Sequence, residues 1–103
     1  MAQNIKLRKI NERYENIGAS DLNFASLNKY LYSNVTRGLY PWLESIDEYG
    51  NTIFNPRQIK HLVDELNLMK IDLNNPILVE EAKEIINFIS AITQHEYVEF
   101  IGD

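Results

Sequence analysis

"HEYVEFIGD", residues 95–103, decides the architecture of this chain. Its period is two: Tyr97, Glu99 and Ile101 point one way, Val98 and Phe100 the other. That is the pattern of a strand, and the run is too apolar for a loose tail. A strand needs a neighbour, because alone it leaves its backbone N–H and C=O groups unsatisfied. The other end of the chain supplies one. "NIKLRKI", residues 4–10, sets Ile5 and Leu7 against Lys6 and Arg8. This predicts a half-buried strand over about residues 4–11. The two terminal strands are expected to pair.

Between them the period changes to that of helices. Leu22 or Phe24, Leu27, Leu31 and Val35 recur at helical spacing, with Ser20 or Asp21 as N-cap. Gly38 and Pro41 end that helix in the mid-thirties. "LYPWLESI", residues 39–46, reads either as a short helical turn opened by Pro41 or as a bent extended piece. The next helix carries the strongest start signals. Asn55 is the N-cap, Pro56 the first helical residue, and Gln58 completes a capping box; Phe54 and Ile59 have the spacing of a hydrophobic staple. Its buried stripe is Ile59, Leu62, Val63, Leu66 and Met69, and it runs from Pro56 to about Lys70. A further helix is expected from Pro76 to about Thr93, with Leu78, Ala82, Ile85, Ile86, Ile89 and Ile92 on one face. The expected fold is α+β: three to four helices, and a small antiparallel sheet formed by the N- and C-terminal strands, in a single domain over 1–103.

Composition narrows the function classes. The chain has 103 residues, of which 45% are hydrophobic, and no cysteine. Disulfides, thiol catalysis and thiolate metal sites are therefore excluded, and a reducing cytoplasm is the expected compartment. The N-terminal residues lack the apolar core of a signal peptide, and no run approaches a membrane span. The net charge of −5 is uneven: residues 1–43 carry six basic and three acidic groups, residues 44–103 four basic and twelve acidic. Such a field repels nucleic acid and favours basic partners.

The motifs that could carry chemistry mostly fail. Counted from Asp47, an EF-hand loop would need an acidic or amide residue where Tyr49 stands and a glutamate where Gln58 stands. A β-turn explains Asp47 and Gly50 better, and Asn55 is used as a cap. His61 and Glu65 are one helical turn apart, which could orient an imidazole, but no second catalytic group accompanies them. His95 stands at a helix-to-strand joint. Glu80, Glu81 and Glu84 form an acidic helix face, and "NVT" at Asn34 formally matches a glycosylation acceptor. No phosphate loop or serine nucleophile motif is present. No enzymatic activity, metal or cofactor is expected.

What remains is a recognition surface. Tyrosine and tryptophan anchor interfaces by burying large area at low entropy cost. Tyr49 stands beside Glu44, Asp47 and Glu48, and these four are the candidate partner-binding residues. The helix residues Glu80, Glu81 and Glu84 are the rival face.

"PWLESIDEYGNTIFNPRQ" (41–58), the following "LVDELNLM" (62–69) and the final "YVEFIGD" (97–103) resemble a group of small bacterial proteins. In these a proline–tryptophan–leucine segment leads into an aspartate-x-tyrosine-glycine-x-threonine turn, then phenylalanine-asparagine and a helix. The resemblance covers residues 40–66 well and 96–103 loosely. Some members are similar to immunity proteins of contact-dependent growth inhibition and related polymorphic-toxin systems. The resemblance implies a cytoplasmic antidote that binds a toxin domain, often a nuclease, and blocks its active site. The alternative is a small cytoplasmic regulatory or scaffold protein with another protein partner.

Overall fold

The computed structural model describes residues 4–103. Four strands and four helices follow in the order β1 (Ile5–Ile10), β2 (Asn16–Asn23), α1 (Ala25–Asn34), α2 (Pro41–Glu44), β3 (Asn51–Phe54), α3 (Pro56–Asp72), α4 (Pro76–Ser90) and β4 (Tyr97–Gly102). The sheet has the order β2-β1-β4-β3, and every pairing is antiparallel. The α+β architecture is the expected one, and the terminal strands pair along their whole length, from Ile5 opposite Gly102 to Ile10 opposite Tyr97.

Register explains where the core lies. Leu7 stands opposite Phe100, and Phe54 opposite Val98, so their side chains share one face. The helices cover that face. Leu27 and Leu31 of α1, Leu62, Leu66 and Met69 of α3, and Ala82, Ile85 and Ile89 of α4 bury themselves against it. Phe100 sits at its centre, with Phe24 and Phe54 edge-on to its ring at centroid distances of 5.7 and 5.6 Å. Such edge-to-face pairs add about 0.5–1.5 kcal/mol beyond burial.

The other face of the sheet carries Glu99, which the alternating pattern marks as outward. It is only 5% exposed. Arg8, opposite it on β1, donates from Nε to Oε1 at 2.6 Å, and the Asn51 amide donates to Oε2 at 3.1 Å. A carboxylate withdrawn from water in the middle of a sheet is tolerable because both its oxygens are bonded.

Two strands were not legible in the sequence. β2 replaces the expected polar interruption and also takes Ser20, Asp21 and Leu22 out of the expected helix. Ser20 Oγ donates to the Leu7 carbonyl at 2.7 Å, across to β1, and so does not cap a helix. Helix α1 begins at Ala25 with no side-chain bond from its N-cap, Phe24. One residue earlier, the Asn23 side chain accepts from both Ile5 N (2.8 Å) and Ala25 N (3.0 Å), joining strand, turn and helix. The second unexpected strand is β3, four residues on the sheet edge.

Residues 41–44 settle as a single helical turn with Pro41 in first position. Helix α3 has the expected capping box, with Gln58 N to Asn55 Oδ1 at 2.8 Å and Asn55 N to Gln58 Oε1 at 2.9 Å. The staple residues Phe54 and Ile59 are both buried. Helix α4 stops at Ser90, three residues short of the expected Thr93. Among the described residues no helix is long and apolar enough to cross a membrane.

Candidate functional site

The acidic turn lies at one end of the sheet and is held from three sides. Asp47 Oδ1 accepts from Tyr49 N at 2.9 Å, and Gly50 N closes the turn on the Asp47 carbonyl at 3.4 Å. This is the expected turn, an aspartate folding the chain back on itself. Thr52 Oγ1 accepts from Asp47 N at 2.9 Å. The Gly50 carbonyl accepts from Gly102 N at 2.8 Å, tying the turn to the end of β4. The approach is close enough that a Cβ on Gly102 would run into the Glu48 carbonyl. Glycine at 102 is therefore a condition for the turn to sit where it does.

The four candidate residues have different fates. Tyr49 is 61% exposed and projects from the turn. Glu48 is half-buried, with Oε2 accepting from Asn28 Nδ2 at 3.2 Å. The Glu48 charge above all, then partial desolvation, and the Asp103 charge raise the Tyr49 phenol above its ordinary value. Asp47 is exposed at its side chain's outer edge while bonding inward to the turn. Glu44 belongs elsewhere. Its carboxylate accepts from Gly38 N at 2.9 and 3.0 Å and from Tyr40 N at 3.2 Å. It closes the loop before α2 and is not a free edge residue. The acidic tip is thus Asp47, Glu48 and Tyr49.

Two residues near the tip were missed. Asp103 follows Gly102, which lies against the Glu48 carbonyl, so the β3–β4 pairing brings its charge to the same end of the sheet, where it acts on the Tyr49 phenol; local spacing does not reveal this. Asn28, 1% exposed on α1, supports Glu48 from beneath, and its Oδ1 has no partner among the described residues. An asparagine next to Leu27 and one turn before Leu31, on the apolar side of a helix, was the available signal.

The His61–Glu65 reading is corrected. Glu65 is 9% exposed and turns toward α2, where its carboxylate accepts from Leu43 N at 2.9 Å and Trp42 N at 3.2 Å. The open amides at the start of α2 take an internal anion, as helix N-termini favour. His61 instead stacks on Trp42, with ring centroids 4.8 Å apart and planes 6° from parallel. The pair fastens α2 to α3, and the imidazole is held by Trp42 rather than by Glu65. His95 Nδ1 lies 2.7 Å from Glu12 Oε1, linking two exposed loops.

The rival face on α4 is less open than its sequence implies. Glu81 is half-buried with Oε2 sealed and unpartnered among the described residues. Burial first, and then the charge of Glu84, push its carboxyl above the ordinary range. Among the described residues no three histidine, aspartate or glutamate side chains gather as a metal would require. No protein-family model, no curated protein and no solved structure matches this chain.

Proposed function

We propose that this chain is a non-enzymatic immunity protein that binds a toxin domain with a basic active site and blocks it. The observation that carries the reading is Tyr49, 61% exposed among Asp47, Glu48 and Asp103 on a turn bonded to β4. A rigid aromatic among carboxylates loses little entropy on binding and presents the charge that a phosphate-cleaving toxin attracts. The excess of acidic residues over 44–103 extends that field and speeds encounter. The cytoplasm is the compartment in which such an antidote acts. The resemblance of "PWLESIDEYGNTIFNPRQ" to a group of small bacterial proteins, some of them similar to immunity proteins, supports the same reading.

The test is to mix the purified protein with the toxin domain encoded beside its gene. The expected result is a stoichiometric complex and loss of toxin activity; no complex and no protection overturn the reading. The surface is tested separately. Asp47→Lys with Glu48→Lys is expected to weaken the complex by about tenfold or more, because reversal replaces attraction by like-charge repulsion. Unchanged affinity in a folded double variant would move the interface away from the tip.

A further inference from the structure

We infer that the cleft between the ends of α1 and α3 is a binding site for an organic cation, a guanidinium or alkylammonium group. The cleft has a volume of about 270 Å³, and Tyr30, Asn34, Leu39, Tyr40, Met69 and Asp72 line it. Pockets for drug-sized ligands run from roughly 300 Å³ upward, so this one suits a group the size of one side chain.

Its chemistry selects a positive charge. Asp72 is the one charged residue of the lining, and no lysine or arginine is among the residues that form it. Two helices end there. Helix α1 stops at Asn34 and α3 at Asp72, so the partial negative charge of both carbonyl ends is directed at the same space. Helix α1 has no basic residue in its last turn to offset this, and the one basic residue in the last turn of α3, Lys70, is bonded to Asn67 Oδ1 at 3.4 Å and does not line the cleft.

Two phenols complete the site. Tyr30 Oη reaches toward the Asp72 carbonyl at 3.5 Å. Tyr40 is only 5% exposed, yet its hydroxyl has no hydrogen-bond partner among the described residues. The residue is part of the cleft's lining. Burial, and then the charge of Asp72 ahead of those of Tyr30 and Glu65, raise this phenol, which fits a negative potential at that spot. Aromatic faces beside a carboxylate hold cations by ring quadrupole and charge together. An anion would meet Asp72 and two helix C-termini and be repelled.

The inference does not depend on the proposed function, since a free amine and an arginine or lysine of a protein partner present the same chemistry. The test is a titration of the ¹⁵N-labelled full chain with methylguanidinium chloride, followed by amide chemical shifts, with sodium chloride at equal concentration as reference. Saturable shifts at Tyr30, Asn34, Leu39 and Asp72 are expected, with affinity falling about tenfold in Asp72→Asn. Asp72 is exposed, so that variant should retain its fold. Tyr40→Phe keeps the ring and removes the hydroxyl, and is expected to weaken binding less. Shifts no larger than those from sodium chloride, or an unchanged affinity in folded Asp72→Asn, overturn the inference. A capped glycine–arginine–glycine peptide distinguishes the sources. Binding at least as tight as methylguanidinium identifies a protein side chain as the occupant; binding of the free cation alone identifies a small amine.

Discussion

Gly102 illustrates how much one residue can be asked to do. It sits where β4 passes the acidic turn, and its lack of a side chain lets the Glu48 carbonyl and the Gly50 carbonyl approach the strand. Gly102→Ala must push backbone against backbone, which flexible side chains cannot absorb. A loss of about 1–3 kcal/mol is expected from equilibrium denaturation, together with displaced amide shifts at Asp47–Gly50. Glu65 is a second case. It is buried because it caps α2, and Glu65→Ala would leave the Leu43 and Trp42 amides without their acceptor. The expected cost is about 1.5–3 kcal/mol, as for hydrogen bonds to a charged group. Glu65→Gln keeps an oxygen acceptor and should cost less.

Glu81 makes a prediction about pH. Its carboxyl ionises at a higher pH in the folded chain than in the unfolded one. Between those two values the folded state holds a proton that the unfolded state has released. Stability therefore falls as pH rises from the ordinary glutamate range to the raised one. Glu81→Gln removes that dependence, so the difference between wild type and variant should widen across that interval and then level off. Thermal melts at a series of pH values check it; a difference that stays flat would contradict the burial of this carboxyl.

At the scale of elements, start signals and tertiary context contribute unequally. Helix α3 carries its cap, its proline and its staple in adjacent residues, so its start was readable from Phe54 to Ile59 alone. Asn55→Ala is expected to cost about 1 kcal/mol by removing half of the capping box, again by denaturation. Helix α1 is the opposite case. Its first turn depends on Asn23, which is held by Ile5 N from a different strand. Ser20 and Asp21 look like caps locally, but Ser20 is committed to the Leu7 carbonyl. Strand β2 escaped notice for a related reason. "NIGASDLN" has glycine, asparagine and aspartate where strands favour β-branched residues. It lies at the sheet edge with two register shifts against β1, and although exposure alternates from Ile17 to Leu22, the inward positions are Gly18, Ser20 and Leu22, only half-buried, so no apolar period of two is written in the sequence.

At the scale of the whole molecule, the pairing of the chain ends closes the structure. Residues 5–10 meet residues 97–102, and these two strands are the centre of the sheet. Phe100 joins them to α1 and β3 through its two aromatic neighbours. Phe100→Ala should cost about 3–5 kcal/mol. That is a large part of the roughly 5–15 kcal/mol by which domains of this size are stable. A marked fall in melting temperature, read by circular dichroism, is expected.

The sequence by itself determined the class of fold, the terminal strands, the capped helix α3 and the turn at Asp47–Gly50. Each of these rests on period, propensity or spacing within a few residues. Only the tertiary structure decided the order of the sheet, the strands β2 and β3, and the membership of the acidic tip. Glu44 left that tip because its carboxylate is taken by the amides of Gly38 and Tyr40. Asp103 joined it because β4 runs beside β3. The cleft at Tyr40 and Asp72 exists only because two helices end at one place. The physical reason is common to all three: a charge or hydrogen bond acts between groups close in space, and the distance that matters is set by packing rather than by position along the chain.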